Sequence, residues 1–114
     1  VFNNGNLSRD FTYIDDVVDG VVSAILKKSK DTSLYKLYNI GNSAPVQLMN
    51  FIESIENTLG TTAKKEMLPM QAGDVNQTWA DVSQLNKNYD YKPKTSVIKG
   101  VEAFINWYRN YYEI

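Results

Sequence analysis

The sequence predicts an α/β chain of about four helices with short strands. Two observations carry this. Apolar residues recur at three- and four-residue spacing in long stretches, the period of a helix with one buried face. Between those stretches lie short runs of aromatic and branched residues bounded by Gly, Asn or Pro, the pattern of strands and turns. No internal repeat, low-complexity tract or flexible linker divides residues 1–114.

Residues 1–13 read as a strand end, a glycine turn and a second short extended stretch. Asn3-Asn4-Gly5-Asn6 is turn chemistry, because Asn and Gly tolerate positive φ. Ile14, Val17, Val18, Val21, Val22, Ile25 and Leu26 then draw one apolar stripe along a helix. Asp15, or Thr12 before it, is placed to cap its start, where the helix dipole favours acidic residues. Lys27, Lys28 and Lys30 close the other end with the opposite charge. Gly20 lies inside this helix, at a cost of about 1 kcal/mol relative to alanine. A close backbone contact and an inert surface position both account for it.

Residues 35–40 are expected to form a strand ended by Gly41-Asn42. Leu48, Phe51, Ile52, Ile55 and Leu59 outline a second helix, with Gly60 as its stop and Gln47 as a poor cap at its start. Residues 63–68 read as an edge strand with a lysine-rich face. Asp81 caps a short helix through about Asn88. Tyr91-Lys92-Pro93 ends that region, since the residue before proline avoids helical angles. Thr95 or Ser96 starts the last helix, whose stripe is Val97, Val101, Phe104, Ile105 and Tyr108.

Composition narrows the chemistry. The 114 residues suffice for one small domain, but not for a dinucleotide-binding domain as well. With 12 basic and 13 acidic residues the net charge is −1, so there is no basic field for nucleic acid. Cysteine and histidine are both absent, which removes thiolate chemistry, disulfides, the usual zinc ligands and the usual general base. No apolar run approaches the ~18 residues of a membrane span, and the start has no signal-peptide pattern. A cytoplasmic protein is expected.

Arg9 is the sharpest single candidate. The chain has two arginines, Arg9 and Arg109, against ten lysines. A guanidinium makes two parallel hydrogen bonds to a phosphate, which a lysine cannot do. A surface pair with Asp10 or Asp15 is the bland alternative. Phe2 and Asn3 precede the turn, where a core phenylalanine would also fit. In Gln71-Ala72-Gly73-Asp74-Val75, glycine lets a backbone approach a ligand, and Asp74 can accept from hydroxyls or orient Arg9. Asp15, Asp16 and Asp19 are read as caps and dipole partners, with no metal site. The C-terminal Tyr108, Tyr111 and Tyr112 are expected to pack in the core with Trp107. No tyrosine has a lysine four residues on, so no catalytic pair of that kind is expected.

Two strings together resemble a known family. Asn3-Asn4-Gly5-Asn6-Leu7-Ser8-Arg9-Asp10-Phe11-Thr12-Tyr13-Ile14-Asp15-Asp16 is one. Leu68-Pro69-Met70-Gln71-Ala72-Gly73-Asp74-Val75 with Thr78, Ala80 and Asp81 is the other. They resemble the C-terminal, substrate-binding part of extended short-chain dehydrogenases/reductases, and most of all UDP-glucuronate 4-epimerases. Tyr38-Asn39-Ile40-Gly41-Asn42 and Tyr91-Lys92-Pro93 extend the likeness over nearly the whole chain. Gln47 and Asp90 depart from the family pattern.

The resemblance implies an NAD-dependent enzyme acting on a UDP-sugar, with NAD held in an N-terminal doubly wound sheet. Arg9 would grip the diphosphate, Phe2 and Asn3 would lie along the uracil, and Asp74 would complete the grip. Gln71 stands where UDP-galactose epimerases carry arginine, which tilts the expectation toward UDP-glucuronate. Other family members acting on UDP- or dTDP-sugars, as epimerases, dehydratases or decarboxylases, remain alternatives, as does a non-catalytic binding module. No dinucleotide fingerprint and no catalytic tyrosine–lysine pair lie in these residues. The chain is therefore expected to be the UDP-gripping part of a larger protein, inactive alone, with the NAD-binding domain as its partner and a homodimer possible in the parent.

Overall fold

The computed structural model describes all 114 residues, Val1–Ile114. A tight turn at Phe2–Gly5 opens it, and Asn3, Asn4 and Gly5 have φ of 49°, 50° and 80°. This is the turn the Asn-Asn-Gly string requires, in place of a strand end. Strand β1 (Ser8–Arg9) follows, then helix α1 (Ile14–Leu26), strand β2 (Val46–Gln47) and helix α2 (Leu48–Leu59). Helices α3 (Ser83–Tyr89) and α4 (Val97–Tyr112) complete the chain.

β1 lies at the centre of what sheet there is. On one side it pairs antiparallel with β2, Ser8 opposite Gln47 and Arg9 opposite Val46. On the other side residues 76–78 run parallel to it: Ser8 N donates to Asn76 O at 2.9 Å, and Thr78 N donates to Ser8 O at 3.3 Å. The chain thus brings residues 8–9 and 74–78 side by side.

Two expected strands do not form. Residues 35–40 make no backbone–backbone hydrogen bond. Their side chains are used instead: Ile40 and Tyr38 pack on Leu85, Tyr89 and Tyr91, and Tyr38 Oη accepts from Asn88 Nδ2 at 2.9 Å. In residues 63–68 the main-chain partners are few: Glu66 O accepts from the Val1 amino group at 2.6 Å, and Leu68 accepts from Asn4 N and donates to Val1 O. Strand propensity is realised only where a neighbouring strand is in reach.

The helix ends follow local chemistry. Gly60 adopts a left-handed φ of 71° and stops α2. Asp90, at φ 58°, does the same for α3. Ser96 caps α4 by accepting from Lys99 N at 3.4 Å. Gln47 makes no side-chain cap, as its residue type suggested; Leu48 N bonds to Leu7 O instead. Neither Thr12 nor Asp15 caps α1, whose N-cap is Tyr13. Lys27 and Lys30 serve the end of α3: Lys27 Nζ donates to Tyr89 O, and Lys30 pairs with Asp90.

The core is small. Leu85, Tyr89 and Tyr91 form its buried cluster. Val101 and Ile105 of α4 are buried, and Phe11 stacks on Phe51 of α2 with centroids 3.9 Å apart. α1 presents Asp16 and Gly20 inward. A Cβ on Gly20 would meet Ile40 and Tyr91 at 3.2 Å, so the glycine is neither inert nor against backbone: it makes room for two side chains. Asp16 accepts from Lys94 N at 2.9 Å and Thr95 N at 3.0 Å, tying the start of α4 to α1.

Much of the expected apolar stripe faces outward. Ile14, Val18, Val21, Val22, Ile25 and Leu26 of α1 are exposed, as are Leu34, Tyr35 and Leu37. The C-terminal rings are exposed too, with Trp107, Tyr108, Tyr111 and Tyr112 stacking along the surface of α4 and not in a core. Shape explains this. The molecule is 18 Å thick in its shortest direction, no more than about two packed helices. Its radius of gyration is 17.0 Å, against about 13 Å for a compact domain of this length.

Candidate functional site

The site is built where β1 and the 74–78 segment meet. Strand pairing sets Arg9 beside Asp74, and its Nη2 donates to Asp74 Oδ1 at 2.5 Å. Nη1 donates to Ser8 O at 2.9 Å and to Asn76 O at 3.4 Å. These bonds hold the guanidinium in one orientation. The pair stays accessible, with 27% of the Arg9 side chain and 30% of Asp74 exposed. Nε receives no protein partner, and a guanidinium carries five N–H donors. Arg9 therefore retains donors for an anion.

Asp74 is delivered by a turn. Asp74 N donates to Gln71 O at 3.2 Å across Ala72-Gly73, and Gly73 has φ 84°, the geometry that favours glycine at the third position. Asp74 Oδ1 also accepts from Val75 N at 2.8 Å. Gln71 is exposed at the start of this turn and its side chain makes no hydrogen bond within the chain. Asn3 joins the same region through Asn76, donating from Nδ2 to Asn76 Oδ1 at 3.3 Å. Phe2 is partly exposed beside it and is not a core residue. Arg9, Asp74 and Asn3 are thus gathered by direct or shared bonds, while Gln71 and Phe2 border them.

Asp10, next to Arg9, has a different task. Its carboxylate accepts from Asn42 N, Ser43 N and Ala80 N at 2.9–3.2 Å. It fastens the 41–43 loop and residue 80 to β1. Gly41 makes room, since a Cβ there would sit 2.6 Å from Ala80 Cβ and 2.8 Å from Asp10 Oδ2. Neither Asp10 nor Asp15 is the arginine's partner. A polar cleft of about 500 Å³ lies on this side, bordered by Asp10, Thr12, Tyr38, Asn39, Thr78 and Trp79.

Sequence patterns missed two residues here. Asn76 has no motif to mark it; its importance comes from its carbonyl, which accepts from Ser8 N just before Gln77, the residue bridged to Ser8. Asp16 was read as a helix-dipole partner, yet its bonds to Lys94 N and Thr95 N make it a tether. Burial opposes its charge, but those bonds and the nearby Lys94 charge outweigh burial and hold its carboxyl below the usual range. Tyr91 moves the other way: burial, then the charges of Asp16, Asp10 and Asp19, push its phenol up.

The chain offers no cradle for a dinucleotide. No glycine-rich turn leads into a helix; the residues before α1, α2, α3 and α4 are Tyr13, Gln47, Val82 and Ser96. No cluster of three or more carboxylates gathers at metal-binding distance. No helix is long and apolar enough to cross a membrane.

Residues 1–41 match the NAD dependent epimerase/dehydratase family. An uncharacterized protein of Methanocaldococcus jannaschii is 54% identical over 108 residues, covering 95% of this chain and 32% of that protein. UDP-glucuronate 4-epimerase 6 of Arabidopsis thaliana is 39% identical over 122 residues, covering 98% of this chain and 26% of that protein. The crystal structure of UDP-glucuronic acid 4-epimerase from Bacillus cereus in complex with UDP-glucuronic acid and NAD matches with a TM-score of 0.87. That match has 33% identity and covers 98% of this chain and 35% of the other. The chain spans about a third of the length of the relatives it matches.

Proposed function

We propose that this chain, which has the sequence and fold of the C-terminal part of an extended short-chain dehydrogenase/reductase, grips the UDP of a UDP-sugar in a larger NAD-dependent epimerase. The observation that carries this is the Arg9–Asp74 pair, oriented by Ser8 O and Asn76 O and left with free donors. A held guanidinium is suited to a diphosphate because its fork is arranged before the ligand arrives. Asp74 shares the cation without burying it.

The chemistry at the sugar belongs to the part of the protein that carries the NAD site. These 114 residues supply remote binding energy, which positions the sugar without touching its reacting carbon. That NAD-binding part is the chain's partner, and it covers the exposed face of α1. A cytoplasmic homodimer of the whole protein completes the proposal.

UDP-glucuronate is the proposed substrate, with UDP-galacturonate as product. Gln71, a neutral amide at the border of the site, supports this over a sugar site that calls for an arginine there. The identity to proteins named as UDP-glucuronate 4-epimerases supports it as well. The test is turnover by the full-length protein. UDP-glucuronate should be epimerised faster than UDP-glucose at equal concentration. Faster conversion of UDP-glucose would reassign the sugar, and failure to bind either would remove the function.

A further inference from the structure

We propose that Asn76 is a positioning residue that links a base-reading group to the phosphate-facing guanidinium, and so contributes to the choice of pyrimidine. This rests on the UDP-gripping function proposed for the same site. Three hydrogen bonds meet at Asn76. Its backbone carbonyl accepts from Ser8 N at 2.9 Å and from Arg9 Nη1 at 3.4 Å. Its side-chain Oδ1 accepts from Asn3 Nδ2 at 3.3 Å. One residue therefore fixes the Asn3 turn against the Arg9 strand.

The consequence lies in the Asn3 amide. Its Nδ2 donates to Asn76 Oδ1 and also to Asn6 O at 2.8 Å. An amide has two N–H donors, and both are committed. Asn3 Oδ1 receives no hydrogen bond from the chain, and the residue is only half-buried. The backbone beneath it is fixed by the left-handed φ of 49° and by Asn6 N donating to Asn3 O at 2.8 Å. What remains is an amide oxygen held in one orientation and open to a ligand.

A fixed acceptor selects an N–H. The ring imide of uracil or thymine supplies one. The matching ring nitrogen of cytosine carries a lone pair and repels the same oxygen. Gln71 cannot discriminate in this way, because its unbonded amide is free to turn and offer either end. Asn76, by taking the Asn3 N–H, makes Asn3 an acceptor only. Through its carbonyl it sets that acceptor at a constant spacing from the guanidinium.

The experiment is calorimetric titration of the full-length protein with UDP and with CDP. The variants are Asn76→Ala, Asn76→Asp, Asn3→Gly and Arg9→Ala, with thermal melts confirming that each is folded. Asn76→Ala should weaken UDP by about fivefold, the scale of one neutral hydrogen bond, and CDP less, so the preference narrows. Asn76→Asp keeps the acceptor and should restore the preference. Asn3→Gly tolerates the positive φ, removes the oxygen and should narrow the preference by itself. Arg9→Ala should weaken both nucleotides alike. If Arg9→Ala loses both nucleotides while Asn76→Ala and Asn3→Gly keep the wild-type ratio, the positioning role is overturned and the UDP grip stands. If Arg9→Ala binds UDP as wild type does, both fall.

Discussion

Arg9 and Asp74 lie 65 residues apart in sequence and meet at 2.5 Å. Their meeting is a product of backbone pairing: Ser8 takes residues 76–78 as its parallel neighbour, and the Gly73 turn swings Asp74 back toward the strand. Packing in this region should therefore be sensitive to residues that hold the strands, even when those residues face away from the ligand.

Gly41 is the first such residue. A Cβ there meets Ala80 Cβ at 2.6 Å and Asp10 Oδ2 at 2.8 Å. Gly41→Ala must push residue 80 off Asp10 or move the loop. We expect a loss of about 1–3 kcal/mol, the usual cost of overpacking. Urea denaturation of the full-length protein measures it, and an unchanged midpoint would show that the loop yields freely.

Asp16 gives a pH signature. Its carboxyl is held below its ordinary value of 3.8, so its contribution is present above that value and is lost as pH falls through the lower folded one. Asp16→Ala leaves two backbone N–H groups without their acceptor and should cost about 1–3 kcal/mol at neutral pH. The difference in urea midpoint between wild type and Asp16→Ala should be constant above about pH 5 and shrink below about pH 3. A difference that grows on acidification would contradict the tether.

The third prediction concerns the exposed side of α1. Val18, Val21, Val22, Ile25 and Leu26 form an exposed apolar strip along α1, wide enough to drive association in the isolated chain. The purified 114 residues should bind a hydrophobic dye and sediment with a mass that rises with concentration. Val18→Lys with Val22→Lys should reduce both. A dye-silent monomer at high concentration would show that the strip needs no cover.

Many local signals in the sequence were faithful, although Tyr13 stands at the N-cap of α1 where Thr12 or Asp15 was expected, and Val82 at that of α3 where Asp81 was expected. The apolar stripe of Leu48, Phe51, Ile55 and Leu59 became α2, Gly60 stopped it, and Ser96 capped α4. The Asn-Asn-Gly turn followed from residue type alone. Decisions that need a neighbour were not legible. Residues 35–40 have strand composition but no strand beside them, and the α1 stripe has the right period but faces solvent. Periodicity tells which face is apolar; it does not tell what covers it. In the site, Arg9 and Asp74 were legible as candidates because their residue types are informative. Asn76 was not, because its role depends on its partner across the strand.

The most direct test of the UDP grip is the affinity of the full-length protein for UDP itself, which carries the anchor without the sugar. Calorimetry on wild type, Arg9→Ala, Arg9→Lys and Gln71→Ala makes the comparison. Arg9→Ala should lose on the order of 2–5 kcal/mol, the scale for truncating a hydrogen-bonded charged partner. Arg9→Lys should recover only part, because an ammonium is a point charge and not a fork. Gln71→Ala should cost about 1 kcal/mol or less, as befits a neutral amide at the border. Wild-type UDP affinity in Arg9→Ala would contradict the grip and leave the Arg9–Asp74 pair as a structural clasp between the strand and the Gly73 turn.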